Sequence, residues 1–89
     1  MAAHAVWKYP IPFGRVTLDL PRGAVVVHVA AQNDMPTIWV RLDPGAPKVL
    51  RMYEVFATGE PVPGDAAYCG TAHTVGGALV WHIFEVFGD

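Results

Sequence analysis

The fold is decided by one apolar run, Gly77-Ala78-Leu79-Val80-Trp81-His82-Ile83-Phe84-Glu85-Val86-Phe87. Its aromatic and β-branched residues are typical of a β-strand that packs against a core on at least one face. The run is too short, and too interrupted by His82 and Glu85, to cross a lipid bilayer. We therefore predict that this segment is a strand inside the sheet and that the fold depends on it.

Proline and glycine divide the rest of the chain into short apolar pieces, because eight prolines and nine glycines fall between them. We predict further strands at residues 6–9, 15–20, 24–32, 37–42, 48–57 and 71–75. Asn33 and Asp34 tolerate left-handed backbone angles, so the third and fourth strands should form a hairpin. Residues 58–70 are predicted to be irregular, and loops of that length often carry function. Gly76-Gly77 is predicted to be a turn.

The turn signals recur roughly every eight to twelve residues, which is the spacing of small all-β domains. No segment shows a helical stripe longer than a turn or two. We therefore predict one all-β domain over residues 1–89. The expected architecture is a small antiparallel sandwich or a partly open barrel of about six to seven strands.

The composition is unusually apolar for so small a domain, with 53% hydrophobic and 16% charged residues and no serine. A domain of this size buries only about 60–65% of the surface of its unfolded chain. Some of the hydrophobic side chains should therefore stay exposed to solvent. Large exposed apolar patches usually mark contact sites. We expect a homo-oligomer or a permanent partner; a well-packed monomer is the alternative.

The net charge is −2, and the six Lys and Arg residues are scattered along the chain. Without a basic cluster, binding to duplex nucleic acid or to an anionic membrane is not expected. The single cysteine, Cys69, can form neither an intramolecular disulfide nor a thiolate metal site. Residues 1–8 lack the pattern of a signal peptide. We expect a protein of a reducing, cytoplasmic setting.

No residue cluster in the sequence indicates catalysis. The four histidines do not have the spacing of a metal pair, so we expect no metal and no cofactor. His82 is expected to be half-buried and hydrogen-bonded to a backbone carbonyl. Cys69 and His73 lie four residues apart in a predicted loop, but no third group orients them, so Cys69 is interpreted as structural. A nucleophile–base pair would need Cys69 or a threonine beside His73 or His82. We expect that the protein is not an enzyme.

Two predicted strands carry large aromatic and arginine side chains on one face. If Ile38 and Val40 point to the core, Trp39 and Arg41 point outward together with Thr37. If Leu50 and Met52 point to the core, Arg51 and Tyr53 point outward as well. Aromatic rings stack on flat ligands, and arginine binds carboxylates or phosphates. This outer face is therefore either a contact surface or a second core layer, and both interpretations stay open.

Several motifs occur in the same order as in a family of small phage-encoded proteins known only as a domain of unknown function. The resemblance covers residues 7–85 and implies a phage or prophage origin and a role inside the infected bacterium. It implies no catalytic residues. The motifs that carry it are Trp7-Lys8-Tyr9-Pro10-Ile11-Pro12, Leu20-Pro21-Arg22-Gly23-Ala24, Gln32-Asn33, Thr58-Gly59-Glu60-Pro61-Val62-Pro63, Tyr68-Cys69-Gly70-Thr71 and residues 77–85.

The preferred hypothesis is a phage accessory protein that acts by stoichiometric binding, with counter-defence by sequestering a nucleotide-derived immune signal at a subunit interface. In this hypothesis the aromatic residues stack a base, the arginines hold a phosphate, and Thr71 or His82 contacts a sugar or a ring edge. Two alternatives are a protein–protein inhibitor or adaptor of a host or phage protein, and a virion or assembly component. The candidate ligand-binding residues are Tyr9, Trp39, Arg41, Arg51, Tyr53, Thr71, Trp81 and His82.

Overall fold

Two antiparallel sheets make up the fold, which a computed structural model describes over residues 3–88. Met1, Ala2 and Asp89 lie outside the described residues. Met1 and Ala2 are also the first two positions of the stretch considered for a signal peptide. Within the described part there are seven strands and one 3₁₀ turn, Val75–Gly77. The strands are β1 (Ala5–Pro10), β2 (Arg15–Pro21), β3 (Val25–Gln32), β4 (Met35–Leu42), β5 (Lys48–Ala57), β6 (Ala67–Thr74) and β7 (Leu79–Val86).

The first sheet has the strand order β1-β4-β3 and the second has the order β2-β5-β7-β6. Every neighbouring pair is antiparallel. The predicted all-β class is therefore confirmed, and over residues 3–88 the sheets do not close into a barrel. The predicted β3–β4 hairpin is also confirmed, with Asn33 and Asp34 at φ 52° and 58° in its turn.

The terminal apolar run forms β7, which lies between β5 and β6 inside the second sheet, as predicted. Ile83 is opposite Val55 on one side and Gly70 on the other, and it is fully buried. A strand with neighbours on both sides leaves no backbone groups of its middle part unpaired. This run therefore pairs with both β5 and β6 and holds the two strands in one sheet.

The core lies between the two sheets. Alternate residues of β4, namely Ile38, Val40 and Leu42, point into it as predicted. The alternating residues of β2 also face it, since Leu20 is fully buried while Val16 and Leu18 pack against the cluster. The whole buried cluster consists of Ile11, Leu20, Ala24, Ile38, Val40, Leu42, Tyr53, Val55 and Ile83.

The prediction for residues 58–75 was wrong at both ends of the strand in that range, since Val75 lies in the 3₁₀ turn and not in β6. The strand predicted at 71–75 begins four residues earlier, and Ala67–Gly70, predicted to be irregular, belong to β6. The register shifts between Tyr68 and Gly70, so an extra residue interrupts the alternation of side chains at this point. Pairing with β7, which the local sequence does not reveal, is what makes this piece a strand.

The segment 58–66 connects two parallel strands, because β5 and β6 are both antiparallel to β7. Ala57 lies opposite Trp81 and Ala67 lies opposite Glu85, so the segment must cross β7. Its first residue, Thr58, is hydrogen-bonded to His82 on the outer side of the sheet. Phe56 points to that same outer side and is nevertheless buried. We call residues 58–66 the crossing segment.

The two sheets approach each other closely where β6 passes β3, at Gly70 and Val29. A Cβ atom placed on Gly70 would lie 2.6 Å from Val29 Cβ and 2.6 Å from Val29 Cγ2. Rotation of the Val29 side chain can move Cγ2, but it cannot move Cβ, which is bonded directly to the backbone of β3. Glycine at position 70 is therefore required by the spacing of the sheets.

Replacing Gly70 with alanine should lower the free energy of unfolding by about 1–3 kcal/mol, because the added methyl group forces β6 away from β3. Urea unfolding followed by tryptophan fluorescence measures this change. Gly64→Ala is the matched control, since nothing lies within 4 Å of the atom it adds, and it should change stability by less than about 0.5 kcal/mol. Equal stability of the two variants would contradict the proposed contact.

Candidate functional site

Six side chains on the outer side of the three-stranded sheet form one surface, which we call the Trp39 face. Lys8 of β1 and His28 of β3 lie opposite Trp39, on either side of it. Because Ile38 and Val40 point into the core, the residues between and beyond them on β4 point outward. The six residues are Val6, Lys8, Val25, His28, Trp39 and Arg41.

Trp39 is the centre of this face. Its ring contacts the His28 ring at a centroid distance of 5.2 Å and an interplanar angle of 53°. Arg41 follows two residues later on the same strand, between Val6 and Val25. Lys8, His28 and Arg41 are all exposed, whereas Trp39 is half-buried by its neighbours. A half-buried indole ring thus lies beside three polar side chains.

The Trp39 face carries only basic charge. None of the eight Asp and Glu residues lies in β1, β3 or β4. Within residues 3–88, Lys8 and Arg41 form no ion pair, whereas Arg15 pairs with Glu54 and Arg51 pairs with Glu85. An anion that approaches this face therefore meets unneutralised cations. The prediction that Trp39 and Arg41 point outward is confirmed.

The predicted orientation of β5 was wrong. Tyr53 is fully buried in the core and Arg51 points inward beside it, whereas Leu50 points outward and is 73% exposed. Both alternating sets of β5 contain apolar residues, so the pattern alone does not choose between them. The outward orientation of Arg51 followed from placing Leu50 and Met52 in the core, whereas the carboxylate of Glu85 on the neighbouring strand neutralises an inward-pointing Arg51. Thr37, predicted outward, is also buried, and its hydroxyl donates to the Met35 carbonyl at 2.9 Å.

Arg51 is held by three hydrogen bonds and is not available as a phosphate ligand. Its Nε and Nη2 atoms donate to Glu85 Oε2 and Oε1, each at 2.8 Å. Its Nη1 atom donates to the Ala24 carbonyl at 2.6 Å, which links the second sheet to the residue preceding β3. The hydrogen bond with Glu85 raises the pKa of Arg51. This fork-shaped contact is a structural ion pair between strands.

Tyr53 and Cys69 lie near this ion pair, and burial favours the neutral form of both side chains. The Tyr53 hydroxyl is buried and has no hydrogen-bond partner among the described residues. Burial raises the pKa of Tyr53 and also raises the pKa of the Cys69 thiol. A thiol whose pKa is raised carries little of the nucleophilic thiolate near neutral pH. This agrees with the interpretation of Cys69 as structural, although it lies in β6 and not in a loop.

His82 takes part in a chain of side-chain hydrogen bonds on the outer side of the second sheet. Its Nε2 atom lies 2.8 Å from Thr58 Oγ1, and its Nδ1 atom lies 3.1 Å from Thr71 Oγ1. Thr71 is bonded in turn to the Tyr68 hydroxyl at 2.5 Å. His82 is half-buried as predicted, but its partners are hydroxyl groups and not a backbone carbonyl. The contact pins the crossing segment to β7.

A threonine beside His82 is part of what a nucleophile–base pair requires. Here both imidazole nitrogens contact hydroxyl groups, so neutral groups hold the ring in place. A catalytic histidine of this kind is normally oriented by a carboxylate that also stabilises its charged form. The arrangement therefore serves better to fix the crossing segment than to activate Thr58.

The last two candidates, Tyr9 and Trp81, pack against the core from opposite sheets. Trp81 Nε1 donates to Thr74 Oγ1 at 2.8 Å, and its ring contacts Phe13 at 4.7 Å. Tyr9 lies opposite Ile38 on β1, and burial raises its pKa. Of the eight predicted ligand residues, the structure thus brings Trp39 and Arg41 together on an open face and places Tyr9, Arg51, Tyr53 and Trp81 toward the interior. Thr71 and His82 lie on the other sheet.

The family model described as Domain of unknown function (DUF7352) matches residues 2–88. The chain belongs to the DUF7352 family. The expected membership in a domain-of-unknown-function family is thereby confirmed for nearly the whole chain. No curated protein and no solved structure matches this DUF7352 protein. Its function must therefore be argued from its own side chains.

Between residues 3 and 88, no three His, Cys, Asp or Glu side chains come together in a group that could hold a metal ion. Over the same residues, no helix is long and apolar enough to span a membrane. Because Trp39 and Arg41 are the predicted ligand residues that come together on an open face, the Trp39 face is the candidate site of this member of DUF7352.

Four members of the Trp39 face were not predicted from the sequence, and two of them, His28 and Lys8, are polar. The two-residue turn Asn33-Asp34 sets the hairpin register, and counting back from it places His28 opposite Trp39. The predicted hairpin therefore contained the information that identifies His28. Lys8 is different, because its position depends on the pairing of β1 with β4, and no local pattern indicates which strands pair.

Replacing Tyr53 with phenylalanine should leave the free energy of unfolding at pH 7 unchanged or raise it by up to about 1 kcal/mol, because it removes a buried hydroxyl without a partner. Above pH 10, tyrosine ionises in the unfolded chain, while the raised pKa keeps Tyr53 neutral in the folded state. The wild type should therefore lose stability as the pH rises beyond 10, and the variant should lose less.

Urea unfolding at pH 7 and pH 10.5 measures both effects. Tyr68→Phe is the control, since Tyr68 is exposed and its hydroxyl contacts Thr71. Tyr68→Phe should slightly lower the free energy of unfolding at pH 7, because it loses the contact with the Thr71 hydroxyl. A loss of more than about 1 kcal/mol in Tyr53→Phe at pH 7 would show that the Tyr53 hydroxyl has a stabilising partner.

Proposed function

We propose that this protein acts by stoichiometric binding and that its contact surface is the Trp39 face. The ligand class that fits best is a nucleotide-derived anion, with its base stacked on Trp39 and its phosphate held by Arg41 and Lys8. The observation that supports this proposal is a half-buried indole ring in contact with His28, beside two cations that form no ion pair within residues 3–88, on strands without acidic residues. Aromatic stacking and cationic groups together are how proteins bind nucleotides without reading sequence.

The setting we propose is the cytoplasm of a bacterium infected by a phage, and the role is counter-defence by sequestering an immune signal. The resemblance to small phage-encoded proteins supports this setting. A binding role without turnover is supported by the chemistry of the interior, where Arg51 is neutralised and burial keeps Cys69 protonated.

A nucleotide that binds the folded state must raise the melting temperature. At ten times its Kd, a ligand adds about 1.4 kcal/mol to the stability. For a domain of this size that equals a rise of roughly 6–11 °C. A thermal-shift panel of cyclic dinucleotides, cyclic trinucleotides, ADP-ribose derivatives and mononucleotides tests this expectation. A shift below about 2 °C for every compound at saturating concentration would reject the proposal.

The shift should disappear in Trp39→Ala and persist in Trp7→Ala. Trp7 is a matched control because it is an exposed tryptophan of β1 that lies opposite the buried Val40 and points away from the Trp39 face. Retention of the full shift in Trp39→Ala would place any ligand elsewhere on the molecule.

A second candidate function is an inhibitor or adaptor that binds a host or phage protein through the same face. Val6 and Val25 bracket Arg41 and are 56% and 57% exposed. Tryptophan and arginine with an apolar rim are typical of the residues that dominate protein interfaces. In that case a specific protein should be retained by the wild type and lost with Trp39→Ala, and the nucleotide panel should give no shift.

We also propose that the protein is a homo-oligomer. Ten large apolar side chains are at least 41% exposed in the described chain. Leu50 and Phe87 are among them, and both line a groove of about 480 Å³ at the end of β7. Light scattering should give a mass that is a multiple of the 9.6 kDa subunit. A mass of one subunit across the micromolar range would contradict this proposal.

A further inference from the structure

We propose that the Trp39 face is built for a ligand with one base and adjacent phosphates, that is, a nucleoside 5′-diphosphate or another nucleotide with a pyrophosphate group. This inference rests on the proposed function and specifies its ligand class. It is carried by the positions that the strand register gives to Trp39, Lys8 and Arg41.

The face offers a platform for one base. The outward residues of the three strands form rows across the sheet, and Trp39 is the only aromatic residue of this face other than the imidazole of His28. His28 already contacts the indole ring at 5.2 Å and tilts against it. A second base would have to lie over Val6 or Val25, where no ring is present to stack on it.

The two permanent cations, Lys8 and Arg41, both lie next to the Trp39 ring on the outer face of the sheet. Lys8 is directly opposite Trp39 on β1, and Arg41 is two residues beyond Trp39 on β4. Lys8 and Arg41 are therefore diagonal neighbours, whose Cα atoms are about 7–8 Å apart in an antiparallel pair. Their long side chains can converge on one group at the corner between them. A pyrophosphate presents its charge to both cations at once.

The geometry disfavours a cyclic dinucleotide. Such a ligand carries two bases, and its two phosphates lie on opposite sides of a ring, separated by the riboses. Only one phosphate could reach the corner formed by Lys8 and Arg41. The other would lie beyond the indole, on the side of β3, where the exposed residues are His28 and the apolar Val25 and Val27. Charge complementarity is therefore better for clustered phosphates than for separated ones.

Isothermal titration calorimetry with four compounds tests the inference on the full chain at 50 mM salt. The compounds are adenosine, AMP, ADP and cyclic di-AMP. We expect ADP to bind at least tenfold more tightly than AMP, and AMP more tightly than adenosine. Cyclic di-AMP should bind at least tenfold more weakly than ADP. Raising the salt concentration to 300 mM should reduce the affinity for ADP several-fold, because exposed charges are screened.

Single substitutions distinguish the effect of Lys8 and Arg41 on ADP binding from the effect of the net charge of the protein. Lys8→Gln and Arg41→Gln should each weaken the binding of ADP about tenfold and change the binding of adenosine less than twofold. Lys48→Gln removes an exposed lysine at the start of β5, on the other sheet, and should change neither affinity by more than twofold. Lys8→Arg retains the cation and should preserve the affinity for ADP.

The two levels of the hypothesis fail in different ways. Tighter binding of cyclic di-AMP than of ADP, or equal affinities for ADP and AMP, would overturn the pyrophosphate assignment and leave nucleotide binding intact. An unchanged affinity for ADP in both Lys8→Gln and Arg41→Gln would also overturn the assignment. No heat of binding with any of the four compounds, together with no thermal shift in the wider panel, would overturn the proposed function itself.

Discussion

The packing of β7 against both of its neighbours is the constraint on which the rest of the structure depends. Ile83 is fully buried between Val55 and Gly70, and the strand joins β5 to β6. Because both neighbours are antiparallel to β7, they run parallel to each other, and the chain must cross β7 to connect them. The hydrogen bonds of His82 with Thr58 and Thr71 then hold that connection in place.

The same strand also determines which side of β5 faces the core. Glu85 of β7 lies next to Arg51 and accepts two hydrogen bonds from it, so an arginine can point inward without an unpaired charge. Tyr53 follows into the core on the same side, and Leu50 is turned out to solvent. Breaking such a partly buried pair on one side would leave an uncompensated charge between the sheets. The ion pair thus belongs to the architecture and not to a binding site.

The outer surface of the first sheet carries the proposed binding site. Its three strands contain basic residues and no acidic ones, and the acidic residues between positions 3 and 88 lie in loops and turns, in the crossing segment and on the second sheet. The separation of charge between the two sheets gives a protein with a net charge of −2 one locally basic face. An overall count of charged residues hides such a face, since it averages over both sheets.

The sequence by itself determined the all-β class, most strand positions, the β3–β4 hairpin and the outward orientation of Trp39 and Arg41. These features follow from local alternation and turn chemistry, which act between residues close together in the chain. Only the tertiary structure decided the orientation of β5, the extent of β6 and the place of Lys8 beside Trp39. Each of these depends on which distant strands pair, and in β5 both faces are apolar enough to be buried. The partner that decides each position, Glu85 for Arg51 and Trp39 for Lys8, lies more than thirty residues away in the sequence.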